Sequence, residues 1–443
     1  MKRDMTAGTE WKVILSFTLP IMGASLLQTC YTLTDSIIVG NYIGPTALGA
    51  VGVSNAMTWL LLTVATGIGT GTSIACSQYF GAKRQEDIHR TASTAMLLAA
   101  GIGLTVTLLC FLLAKPLLWV FLDTPDEMKA DSYLYFVIYG SGIIFQMLYN
   151  VIYGILRAHG DSKGSLIFLL VAAILNVVLD LLFVIVFGWG VAGAAAATVI
   201  AQAGSAAASA IYMWMLYPQM RFKGSKWVFD TEKLKIILKL SIPIILQTAV
   251  MAVGFIVLQR LVNSFGAPSI EGYTAMQRVE SLIHIPSNSF NAAMSSFVGQ
   301  NIGARKFDRI RKGYRSTIYM GGTICAVLAV LMLIFDETLL GFFNITDAAL
   351  VRGVEHLDIL VCFMIVSTIN NITVGMLQGA GDVKIPAVAG FVNLAVRLLT
   401  AYAMADTIIN FRSVYYSLPP AWTIACLITA ARYRSGKWRS KAI

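Results

Sequence analysis

The chain has 443 residues, 57% of them hydrophobic and 13% charged, with a mean hydropathy of +0.72. A soluble domain carries about a quarter charged residues, so the composition excludes that class and indicates helices embedded in lipid. The net charge of +10 would suit a nucleic-acid binder, but the basic residues punctuate apolar runs instead of forming a patch, which excludes that partner.

In chain order, twelve apolar spans are expected at 13–39, 47–79, 91–121, 131–156, 164–187, 191–217, 236–263, 272–300, 314–335, 356–378, 385–406 and 413–433. Each can cross a hydrocarbon core about 30 Å thick, and each must be a helix because lipid offers the backbone no partners. Most of the 33 Lys and Arg fall on alternate connections. Lys2, Arg3 and Lys12 precede the first span; Lys83, Arg84 and Arg90 follow the second; Arg157 and Lys163 follow the fourth. Further groups follow the sixth span (Arg221 to Lys239), the eighth (Arg305 to Arg315) and the last (Arg432 to Lys441). The opposite loops carry Asp123, Asp126, Glu127, Asp131, Asp336, Glu337 and Asp347. This asymmetry places the chain in the cytoplasmic membrane with both termini cytoplasmic. The basic N-terminus leads into a span too long for a signal-peptide core and has no small-residue cleavage site.

The chain repeats itself. Pro20 matches Pro243, "SQYFGAKR" (Ser77 to Arg84) matches "GQNIGARK" (Gly299 to Lys306), and "GILRAHGDSK" (Gly154 to Lys163) matches "GMLQGAGDVK" (Gly375 to Lys384), all in register to within one residue. The expected fold is therefore all-α and polytopic, with two parallel six-helix lobes related by pseudo-two-fold symmetry. Residues 1–217 form the N-lobe, 218–235 a cytoplasmic linker, and 236–443 the C-lobe with a basic tail. Trp227 and Phe229 among charged neighbours suit a surface strap or a tether for that linker. Pro20 and Pro243 each remove a backbone bond inside a span and are candidate hinges. "GIGTGTS" (Gly67 to Ser73) lacks the Lys of a phosphate loop and reads as close helix packing, so ATP hydrolysis has no basis here.

Ionisable residues inside spans are costly and mark pathways. At about 1.5 Å per residue, Asp35 lies about 8 Å from the outer end of its span, and Asp180 and Thr198 about 10 Å from theirs. Asn176 is one turn from Asp180 on the same face, about 16 Å deep, and Tyr135 is near that level. Carboxylate, amide and hydroxyl oxygens suit Na⁺, and two close carboxylates equally suit H⁺. In the second half Glu280 and Arg397 are expected to pair near mid-membrane, and Gln277, Arg278 and His284 share the span of Glu280, so these five residues are the candidate lining of a substrate cavity. The six cysteines lie singly in spans and read as small buried hydrophobes. The four histidines are too dispersed for a metal site, and no cofactor is expected beyond the coupling ion.

"LPIMGASLLQTCYTLTDSIIVGNYIG" (Leu19 to Gly44), "QYFGAKR", "LRAHGDSK" and "LNVVLDLLFVIVFGWGVAGAAAATVIAQ" (Leu175 to Gln202) together resemble the multidrug and toxic compound extrusion (MATE) family, nearer its damage-inducible-type bacterial branch. The branch with acids in its seventh and tenth helices is not matched. The resemblance implies a non-enzymatic antiporter, acting as a monomer in the bilayer, that exports small organic cations against Na⁺ or H⁺. It also implies a cation site in the N-lobe at Asp35, Asn176, Asp180 and Thr198, with Tyr135 beside it. The alternative within the same superfamily is a lipid-linked oligosaccharide flippase, which would need a cationic cavity; the intramembrane charge of the N-lobe is acidic. A membrane-embedded enzyme would need a nucleophile–base or metal constellation, and a channel a higher-order repeat.

Overall fold

The computed structural model describes residues 4–220, 227–343, 345–407 and 410–443. Among these there is no β-strand. In chain order the helices are α1 (Glu10–Ile38), α2 (Pro45–Gly81), α3 (Gln85–Lys115), α4 (Asp126–Ser141), α5 (Ile143–Ala158), α6 (Lys163–Asp180) and α7 (Gly190–Leu216). After the inter-half connection come α8 (Thr231–Asn263), α9 (Ala267–Gly303), α10 (Phe307–Ile334), the short α11 (Asp336–Gly341), α12 (Asp347–Gly379), α13 (Lys384–Ala405), α14 (Ser413–Tyr416) and α15 (Leu418–Arg434). Three helices end in a π-helical turn: Val39–Ile43 after α1, Pro116–Phe121 after α3 and Leu181–Val186 after α6.

The twelve expected spans are all present. Ten stretches are long and apolar enough to cross a bilayer, and α4 with α5, bent by 44° at Gly142, forms an eleventh. The twelfth is α9. Its Glu271, Arg278, Glu280, His284, Asn288 and Asn291 make it too polar for that test, and it is shielded instead by burying most of its length within its unit. The other surfaces are consistent with lipid as solvent. Leu104, Leu108 and Leu112 repeat every four residues along α3, and Leu112 is 74% exposed. Such a stripe would be an aggregation face in water and is ordinary in a membrane.

The described chain forms two compact units. One contains Leu19–Ile245 together with Asp4; the other contains Met5–Thr18 and Leu246–Ile443. The described part of the 218–235 connection lies inside the first unit, and the expected basic residues Lys2, Arg3, Arg221, Lys223 and Lys226 fall outside the described residues. The divisions come inside α1 and α8, within three residues of Pro20 and Pro243.

The first unit binds the start of α8 tightly. Gly67 and Gly71 of α2 leave room for Ile245 and Ser241 of α8, and a Cβ at Gly69 would lie 2.6 Å from the carbonyl oxygen of Asn150. The Gly-rich run is therefore a close-packing surface, as its composition implied. Ahead of α8, the Val228 and Asp230 amides donate to the hydroxyls of Ser93 and Thr94, at 2.8 and 3.0 Å. Lys233 is bound to Asp87 at 2.6 Å and to the Tyr79 hydroxyl at 3.1 Å.

In the second unit the residues before α1 are held in an analogous way. The Met5 amide donates to Gln300 at 2.8 Å, Asn301 donates to the Met5 carbonyl at 3.1 Å, and Arg309 donates to the carbonyls of Met5, Ala7 and Gly8. Both "GAKR" and "GARK" turns place a non-glycine residue at positive φ, Lys83 at 59° and Arg305 at 57°. The glycines of the two "GD" turns, Gly160 and Gly381, have φ of 75° and 84°, a region in which a Cβ is strained. The sequence repeat is thus a repeat of backbone geometry.

Candidate cation site

The site lies wholly within the first unit, where α1, α4, α6 and α7 pack. Asp35 stands on the last turn of α1 and Asp180 ends α6, so each acid precedes a π-helical turn. The wider turns close through Gly44 N to Val39 O at 3.2 Å and Phe187 N to Leu182 O at 2.9 Å. Turns of this kind break the regular helical register and recur at functional positions. Around them Ile38, Val39, Val51, Val184, Val191 and Ala194 form an apolar core. The acids are thereby held in a largely apolar shell.

Asp180 is 0% exposed and Asn176, one turn earlier, 2%. Asp35 and Asp180 lie within electrostatic reach of one another. The Asn176 amide nitrogen donates to the Thr198 hydroxyl at 3.4 Å, and that hydroxyl donates to the Ala194 carbonyl of its own helix at 3.1 Å. Thr198 therefore spends its proton on the backbone and presents only oxygen. Tyr135 is buried and within electrostatic reach of both acids. The five residues expected from the sequence are thus brought together.

Sequence reasoning missed a second layer. Tyr139 stacks on Tyr135 with ring centroids 6.1 Å apart, and Gln202, one turn beyond Thr198, donates to the Tyr139 hydroxyl at 3.5 Å. The four-residue spacings Tyr135–Tyr139 and Thr198–Gln202 are the signal that could have found them. Across both layers, Asp35 Oδ1, both Asp180 oxygens, Asn176 Oδ1 and Gln202 Oε1 are buried with no hydrogen-bond donor. Buried acceptors without donors are costly, and two adjacent carboxylates cannot both stay charged in such a setting. The donor set is made of hard oxygen ligands, which fit Na⁺ or a shared proton and do not fit a thiolate- or imidazole-seeking metal.

In the second unit the expected cavity residues divide. Gln277, Glu280 and His284 share a face of α9, while Arg278 lies off it and is exposed, because each residue turns about 100° around the helix. The expected Glu280–Arg397 ion pair is replaced by a contact between Glu280 and His284 at 3.4 Å. Arg397, on α13, is directed onto the Phe255 ring of α8 at 5.4 Å and leaves Nε and Nη2 without acceptors. His356 of α12, absent from the expected set, joins this group. The candidate hinges Pro20 and Pro243 lie inside α1 and α8 where each helix passes from one compact unit to the other.

The MatE family model matches two stretches, residues 20–182 and 243–403, one in each half and each beginning at one of these prolines. The chain is 30% identical to "Probable multidrug resistance protein YpnP" of Bacillus subtilis, covering 99% of this chain and 98% of that one. It is 24% identical to "Probable multidrug resistance protein NorM" of Thermotoga maritima over 98% of this chain and 94% of that one. Among solved structures, the outward-facing conformation of a multidrug resistance MATE family transporter superposes with a TM-score of 0.92 at 23% identity, covering 98% of each chain. That likeness shows the same two-lobed, twelve-helix fold.

Proposed function

This chain belongs to the MatE family of membrane transporters, and from that premise we propose that it is a secondary antiporter exporting organic cationic or amphiphilic compounds in exchange for Na⁺ or H⁺. One observation carries the reading: five buried acceptor oxygens of Asp35, Asn176, Asp180 and Gln202 lack any donor within a lipid-embedded bundle. A cation satisfies them and relieves the repulsion between the two acids. Relatives named for multidrug resistance support the export of small organic molecules. The basic connections support cytoplasmic termini in the cell membrane, so a cation entering from outside moves down the membrane potential. That potential supplies about 2.3 kcal/mol per charge per 100 mV, enough to shift a conformational equilibrium substantially.

The coupling step follows from differential binding. With the acids empty and charged, the ends of α1 and α6 repel; with the cation bound, they can close together, and α1 can bend at Pro20, where one backbone hydrogen bond is already missing. Export results when the organic substrate prefers the arrangement that the cation disfavours. Because every ligand comes from one unit of one chain, a monomer suffices. The flippase alternative needs cationic donors for a pyrophosphate, whereas the charged groups of the first unit's polar cluster are the carboxylates of Asp35 and Asp180, whose buried unpartnered oxygens are acceptors.

Purified protein in proteoliposomes tests the reading, with Na⁺ and pH gradients imposed separately and efflux of a fluorescent organic cation followed. Acceleration by one gradient identifies the coupling ion; no acceleration by either overturns the proposal.

A further inference from the structure

The second unit holds a cluster of titratable groups that the proposed coupling site does not use. Glu280 Oε1 and His284 Nε2 are 3.4 Å apart on α9. Tyr273 of α9, His356 of α12 and Arg397 of α13 lie within electrostatic reach of Glu280. His356 is fully buried, with both ring nitrogens unpartnered, between the rings of Tyr273 at 5.7 Å and Tyr415 of α14 at 5.3 Å. From α15, Trp422 stands edge-on to His284 at 6.2 Å. From α10 the surrounding core receives Cys325, bonded to Thr368.

A cavity of about 1020 Å³ in the same unit is lined by Arg352, Glu355, Phe411 and Arg412 among others. The Tyr415 hydroxyl donates to Glu355 at its wall. Tyr415 thus joins the wall of this recess to the ring stack on His356.

We propose that the Glu280–His284 pair is a second proton-binding site, built into the second unit. Imidazole is the side chain whose ordinary charge change falls in the physiological range, and it shares the proton with a neighbouring carboxylate as one coupled unit. Glu280 touches His284, whereas the Arg397 cation of the same cluster, with Nε and Nη2 lacking acceptors, repels a second positive charge. A purely structural ion pair would have placed Arg397 on Glu280. The arrangement found instead leaves the carboxylate to the one partner that can gain and lose charge. The proposal stands whether the ion at Asp35 and Asp180 is Na⁺ or H⁺.

The chain has four histidines, few enough to follow individually by ¹⁵N-histidine NMR of the full chain in lipid nanodiscs, with His284 assigned by its loss in His284→Gln. The His284 ring is expected to gain and lose its proton when the pH is varied. Glu280→Gln should weaken its proton affinity about tenfold or more and Arg397→Gln should strengthen it, while Asp35→Asn leaves it unchanged. A His284 ring that stays neutral throughout, or that titrates identically in Glu280→Gln, overturns the proposal. Should Glu280→Gln fail to fold, the wild-type titration and Arg397→Gln decide.

Discussion

Asp180 illustrates the cost of a single buried carboxylate. Both its oxygens are buried without a donor, and its neighbour across the helix interface is another acid. A residue kept for stability would be paired, since an uncompensated buried charge costs several kcal/mol. Asp35→Asn and Asp180→Asn are therefore expected to reduce gradient-driven efflux at least a hundredfold, about 2.8 kcal/mol at 1.4 kcal/mol per decade. The unfolding temperature should hold or rise, because removing one of two like charges relieves repulsion. Efflux assays in proteoliposomes beside thermal unfolding of the same preparations check both halves. Wild-type efflux in both variants would remove the site from the mechanism.

At the scale of elements, the entry segments of α8 and α1 are anchored by side chains that flank the "GAKR" and "GARK" connections. Lys233 keeps 5% of its side-chain surface and Asp87 keeps 20%, so their ion pair is largely withdrawn from water. Removing one partner strands the other, whereas replacing both leaves no orphaned charge. Asp87→Asn should destabilise the protein by about 2 kcal/mol, and Lys233→Met combined with Asp87→Leu should recover most of that loss. The buried thiols of Cys76, Cys110 and Cys325 report the transition through a thiol-reactive dye, on a Cys30→Ser, Cys362→Ser background because those two are exposed. A double variant as unstable as Asp87→Asn alone would show that packing, not charge, holds the segment. The anchoring also bears on the prolines: the start of each helix is bound in one unit and its remainder belongs to the other, and Pro20 and Pro243, which remove a backbone bond, lie at those divisions.

For the whole molecule, the distribution of basic residues orients the chain in the membrane. The α11–α12 connection carries Asp347 at the end opposite the basic loops. Asp347→Cys, on the background lacking the two exposed cysteines, should react with an impermeant maleimide from outside intact cells. Labelling only after the cytoplasmic face is opened would reverse the orientation.

The amino-acid sequence determined the class, the twelve spans, the internal repeat and the buried polar residues of the first unit that form the candidate cation site. Each of these is written in local or periodic terms: apolar length, charge between spans, repeated "GAKR" and "GD" turns, and the four-residue spacing of Asn176 and Asp180. Depth along a helix is countable from its end, so Asp35, Asp180 and Thr198 could be put at one level before any fold was known. Tertiary structure alone decided what depends on rotation and on contacts between distant segments. It put Arg278 off the face of Glu280, turned Arg397 onto Phe255, brought His356 to a glutamate far away in sequence, and added Tyr139 and Gln202 to the cation site. It also divided α1 and α8 between the compact units, a partition that no connection in the sequence announces. Helix rotation and helix partners are set by side-chain packing among residues far apart in the chain, and a one-residue change of face leaves hydropathy and charge pattern almost untouched.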